Sequence, residues 1–180
     1  MINEHDILNF WFADEARPFW FVQNTDFDQH IISLFSTTLE QACRGELCSW
    51  RKTAQGRLAE IIVLDQFSRH IFRNQAQAFA QDPLALVLAQ ETISLSLDEH
   101  LSAEQRSFLY LPFMHSESKI IHQYAVNLFE KLANPINLDF EYQHKIIIDR
   151  FGRYPHRNEI LGRISSPEEL QYLAESNRRF

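Results

Sequence analysis

Apolar residues recur along this chain with a helical period from one end to the other. Between Asp26 and Gly45 they fall at Phe27, Ile31, Leu34, Phe35, Leu39 and Ala42. That is the i, i+4, i+7, i+8 spacing of one helix face, and Gly45 supplies a C-terminal stop. Ile7, Leu8 and Trp11 give a short helix over 4–12. A loop over 13–25 follows, with Phe19, Trp20 and Phe21 docked on the core. The next helix runs from about Ala54 to Phe72. Asp82-Pro83 reads as an N-cap followed by the first helical residue, opening a helix to about Leu95. Ser102 and Gln105 have the capping-box form and open a short helix that Pro112 ends. Ile121, Tyr124, Ala125, Leu128 and Leu132 mark a helix over about 116–132. After the turn at Asn134-Pro135, a helix covers about 138–151. Ser166-Pro-Glu-Glu169 again combines cap, proline and capping box, and starts the last helix.

The β-branched run Ile146–Ile148 competes as a strand. Its counterpart at 61–67 lies inside a longer helical pattern, and the Asp149/Arg153 spacing suits a helix face. The pattern predicts an all-α fold of about eight helices in one domain over 1–180.

That counterpart exists because the chain repeats itself. Residues 61–86 and 145–170 align without a gap, and 8 of the 26 pairs are identical. The shared unit is D-x-F-x-R-x-x-x-R-N: Asp65, Phe67, Arg69, Arg73 and Asn74, then Asp149, Phe151, Arg153, Arg157 and Asn158. A doubled helical unit points to a repeat architecture, in which each unit buries its apolar face against a neighbour. The spacing stacks Asp65, Arg69 and Arg73 on one face. Asp149, Arg153 and Arg157 repeat it, with Pro155 ending the second helix before Arg157. One reading is a pair of structural ion pairs. The other faces both motifs inward, so that paired guanidinium forks, oriented by the two Asp residues, hold a carboxylate or phosphate.

Composition narrows the choice. The 180 residues include 15 Phe, 5 Tyr and 3 Trp but 4 Gly, too few for a fold of many tight turns. The net charge of -7 and the lack of a long basic run argue against nucleic acid. No apolar run approaches the ~20 residues of a membrane span, and the N-terminus lacks a signal-peptide pattern. Cys43 and Cys48 lack a partner motif, the pattern of a reduced cytoplasmic chain. No Gly-rich phosphate loop, G-x-S-x-G or C-x-x-C occurs, and no cofactor is implied. The aromatic segments Phe10-Trp11-Phe12 and Phe19-Trp20-Phe21 read as core, with a peptide groove as the alternative.

The remaining chemistry lies in histidines. His115 follows Pro112 near a helix entrance, beside Glu117, and His122 sits two turns on. His144 precedes the second apolar run, and His156 follows Pro155. No H-x-x-x-H or H-E-x-x-H spacing supports a metal. A histidine held near Arg and Glu can be tuned toward neutral pH for general acid–base work. The candidate proton-moving residues are His115, Glu117, His144 and His156. The candidate ligand-binding residues are Asp65, Gln66, Arg69, Arg73, Asp149, Arg150, Arg153, Arg157 and Asn158.

The segments LDQFSRHIFR (64–73), AFAQDPLAL (78–86), FLYLPFMHSE (108–117) and RFGRYPHRNEILGR (150–163) resemble the bacterial family known as domain of unknown function 924. The resemblance covers almost the whole chain. It implies an all-α fold similar to tetratricopeptide repeats, a right-handed superhelix of helix pairs, and no activity. The chain departs from that pattern at Ser68, His70 and His122, where the family usually carries Pro, Asn and an acid. Positions that match include Asp65, Gln66, Arg69, Arg73, His115, Glu117, Gln123, His144, Arg150, Arg153, His156, Arg157 and Asn158. Two functions follow as expectations. The first is a cytoplasmic scaffold that binds a protein or peptide in its groove. The alternative is an enzyme or binding protein for a small anionic metabolite, with paired Arg residues on the anion and His as general acid or base.

Overall fold

The computed structural model describes residues 2–175, and among them the secondary structure is helical, with no strand. We number the principal helices α1 (Glu4–Trp11), α2 (Thr25–Cys43), α3 (Ala54–Ile62, then a π turn Val63–Phe67 and Ser68–Ile71), α4 (Asp82–Ser94), α5 (Ala103–Met114), α6 (Lys119–Leu132), α7 (Pro135–Phe151) and α8 (Pro167–Glu175). The chain forms two compact units. The first holds residues up to 73 and 77–112, the second residues 74–76 and 113 onward.

In the first unit α3 is the axis. Leu58, Ile61, Ile62, Val63, Leu64 and Phe67 are all fully buried. A helix apolar all round must be enclosed, and α1, α2 and α4 pack against it. Gly56 permits one close approach: a Cβ there would sit 2.0 Å from the Trp50 carbonyl oxygen. Trp11 anchors the aromatic cluster, its ring 5.6 Å from Phe67 and 5.6 Å from Phe108. Phe19 stacks 5.0 Å from Phe27, and the Trp20 indole donates to the Trp11 carbonyl. Phe21, expected docked on the core, stacks on Phe108 at 6.1 Å but leaves most of its ring exposed.

The second unit is built on the α6–α7 hairpin. Ala133 takes a left-handed φ of 55° and ends α6. The Asn134 side chain then caps α7 over Ile136 and Asn137, with Pro135 as first helical residue. Ala125, Phe129, Ile147, Ile148 and Tyr154 are buried there. The Ser166–Glu169 capping box opens α8.

Several boundaries differ from the pattern, α6 starting at Lys119 and α7 at Pro135 among them. Pro112 lies inside α5, which runs on to Met114. Asp82 does not cap α4, because its carboxylate is held by Arg69. α7 ends at Phe151 as expected, but Gly152, at φ 71°, ends it and not Pro155.

Candidate functional site

The second unit gathers its titratable side chains around one phenol. Tyr154 is fully buried just after the end of α7. Its ring lies 5.7 Å from His144, 6.4 Å from His122 and 5.5 Å from His156. The Arg157 guanidinium lies over the same ring, 4.6 Å from its centre, and is buried. The Tyr154 hydroxyl donates to the Met114 carbonyl, next to His115.

His144 is buried on α7, where its Nδ1 donates to the Phe140 carbonyl one turn earlier, at 2.7 Å. A carbonyl oxygen only accepts, so the neutral ring carries its lone pair on Nε2. Burial foremost pushes His144 down to about 3, and the charges of His115, His122 and His156 act in the same direction. The histidines therefore converge in space although the sequence scatters them. His115 and His156 are partly exposed, while His122 and His144 are buried. His115 and His122 do not share a helix face, because Ser118 caps α6 and leaves His115 in the preceding connection.

Glu117 braces this arrangement. Its carboxylate accepts the Tyr154 backbone N–H at 2.7 Å and both terminal nitrogens of Arg163. Burial alone would raise Glu117, but Arg163 and that N–H outweigh it and hold the acid below its ordinary range. Arg163 also donates to Asn158 Oδ1, and Asn158 donates to Ser165. Arg153 forms a two-point pair with Glu169 at 2.6 and 2.8 Å. That pair, with burial opposing it, holds Glu169 down to about 2. Asp149 and Arg150 stand apart at the surface, paired with Lys145 and Glu168 respectively. Asp149 thus does not orient Arg153.

The first copy of the motif lies in the first unit. Asp65, on the π turn of α3, is fully buried and bonds with Gln66 and Arg69. Arg69 also forks onto Asp82 at 2.8 and 3.0 Å. Arg73 lies beyond the end of α3, so it does not stack on Arg69. It pairs instead with Asp28, which also bonds His70 Nδ1 at 2.7 Å. Burial foremost lowers His70, with Asp28 opposing.

His122, Glu141, Tyr154 and Arg163 complete the second cluster without having been singled out together. Glu141 and His144 are three apart on α7, and both stand on its buried face with Ile148. That polar pair on an apolar stripe was the available signal. Nothing in the sequence announces Tyr154. Among the described residues, no group of three His, Cys, Asp or Glu side chains is placed to hold a metal ion. No helix among them is long and apolar enough to cross a membrane.

Residues 7–177 match the sequence model of the family described as bacterial protein of unknown function, DUF924. The chain is also similar to a solved structure of a protein of unknown function, ATU0120 from Agrobacterium tumefaciens. The two are 40% identical with a TM-score of 0.91, over 96% of this chain and 97% of the other. No curated protein matches the chain.

Proposed function

The chain belongs to the DUF924 family of bacterial proteins, and we propose that its histidine cluster is an acid–base site for a small anionic molecule. One observation carries the reading: His144 and His156 flank the Tyr154 ring, whose hydroxyl holds the Met114 carbonyl next to His115, and both His115 and His156 act electrostatically on His144. Each proton placed on one ring disfavours the next, and a bound anion relieves that repulsion. His115 and His156, both partly exposed, are the groups that exchange protons with a ligand. His144 stays neutral and accepts. The motif arginines Arg69, Arg73 and Arg153 act as clasps, since each already holds a carboxylate of its own unit.

The test is thermal stabilisation by phosphate, sulfate and short dicarboxylates, at about pH 6 and about pH 8. An anion that raises the melting temperature more at the lower pH, and not in a His115→Gln/His156→Gln double variant, supports the site. Arg153→Ala lowers the melting temperature but keeps the response. Equal responses in wild type and the histidine variant overturn the proposal.

A second reading, the peptide-binding scaffold, draws on a different surface. Ile120 and Tyr124 on α6, and Ile136, Phe140 and Ile146 on α7, are all exposed. A folded Tyr124→Glu/Phe140→Glu variant that loses a partner captured by wild type supports it; unchanged capture counts against it.

A further inference from the structure

Within the histidine cluster lies a pair of titratable groups that the reading above does not use. His122 on α6 and Glu141 on α7 are both fully buried, with Nδ1 2.7 Å from Oε1. His122 Nε2 lies 2.9 Å from the Ser116 carbonyl oxygen and 3.2 Å from the Tyr154 hydroxyl. The carbonyl only accepts, so Nε2 carries a hydrogen. The Tyr154 hydroxyl gives its own hydrogen to Met114, so it too accepts from Nε2.

Two arrangements satisfy these bonds. Either an imidazolium faces a carboxylate, or a carboxylic acid donates to a neutral ring. The other oxygen of Glu141 separates them. Oε2 is buried and has no hydrogen-bond partner. A carboxylate would leave charge on that sealed atom with no donor, whereas an acid leaves only a carbonyl oxygen there. Burial is also the leading influence on Glu141 and raises it, while His122 and Lys145 pull the other way.

We infer that Glu141 and His122 form a positioning pair for the proposed site: the Glu141 acid donates from Oε1 to Nδ1, and Nε2–H in turn fixes the peptide that carries His115. That segment is held on both sides. Tyr154 takes the Met114 carbonyl, His122 takes the Ser116 carbonyl, and Glu117 is bound by Tyr154 N–H and Arg163. A pair of neutral groups keeps this grip constant while His115 and His156 change charge. The purpose assigned to the pair rests on the proposed site, but its bonding can be tested alone.

The experiment is imidazole ¹⁵N NMR of the full-length wild type between about pH 5.5 and 8. His122 is expected neutral with its hydrogen on Nε2 throughout, while His115 titrates. An imidazolium signal for His122 at neutral pH overturns the inference. Glu141→Gln keeps a donor to Nδ1 and leaves the His115 midpoint where it was. Glu141→Leu removes the donor and shifts that midpoint. If Gln disturbs His115 as much as Leu does, the positioning role fails. The wild-type spectrum decides even if Glu141→Leu does not fold. A negative anion screen with the expected spectrum removes the ligand site and leaves a structural clamp. Anion binding with a charged His122 removes the clamp and leaves the site.

Discussion

The two copies of D-x-F-x-R-x-x-x-R-N are the same sequence pattern used in different ways. In the first unit the motif lies mostly within α3, and Asp65 is buried against Gln66 and Arg69. In the second unit Asp149 is exposed, and Arg153 turns to Glu169 instead. Aligned positions 68 and 152 explain the change. Ser68 continues the helix with an ordinary φ of -55°, whereas Gly152 takes φ 71° and ends it. Two residues on, His70 aligns with Tyr154. His70 bonds to Asp28, while Tyr154 becomes the hub of the histidine cluster. A repeat conserves its packing scaffold more readily than its partners, because partners come from elsewhere in the chain. In both copies the arginine four residues after the Asp ends on a carboxylate held outside the motif, Asp82 or Glu169.

The sharpest way to break this contrast is to remove the aspartates. Asp65→Ala leaves Arg69 without one of its acids and should cost about 3 kcal/mol in urea denaturation. A loss no larger than that of Asp149→Ala would show the two copies to be equivalent.

The next effect is a pH dependence. Unfolded His144 takes up a proton near its ordinary value of 6.5, and the folded ring does so only at about 3. The folded state therefore binds fewer protons below pH 6.5. The stability held above that point falls progressively as the pH drops toward 3, by about 2 kcal/mol between pH 7 and 5. His144→Gln should flatten the slope in urea midpoints measured over that range. A second fall comes lower. Glu169 is depressed to about 2, so its contribution is complete above the ordinary 4.5 and lost as the pH approaches 2. Arg153→Ala should remove that second fall.

Exchanging the helix-deciding residues gives smaller losses. Gly152→Ala should cost about 1 kcal/mol through its positive φ, with no clash, since a Cβ there meets nothing within 4 Å. Ser68→Gly should cost a similar amount by loosening the helix interior. Calorimetric melting of both variants tests the pair, and a Gly152→Ala that melts with wild type would deny the turn its role.

Asp149→Ala should change stability least, by less than about 0.5 kcal/mol, because its pair with Lys145 is solvent-exposed. A larger loss would mean that the second copy keeps the structural duty of the first.

Helix positions were legible because they depend on local periodicity and caps. The Ser102–Gln105 and Ser166–Glu169 boxes formed as read. The helix ends that differ do so for separate reasons. Asp82 was claimed by Arg69, thirteen residues away, before it could cap its own helix. Pro112 was tolerated near the last turn of α5. Residue type points to His115, His144 and His156, but Tyr154, the ring that His144 and His156 flank, carries no local signal.

The sequence by itself determined that this chain is helical, that it repeats, and which histidines, arginines and acids it has to place, because those properties reside in spacing and composition. Only the tertiary structure decided which charges meet. It gave Arg73 to Asp28, Arg153 to Glu169 and Glu141 to His122, across 45, 16 and 19 residues of chain. The physical reason is burial: an enclosed charge or polar group must find a partner, and the nearest one in space is chosen by packing and not by sequence distance.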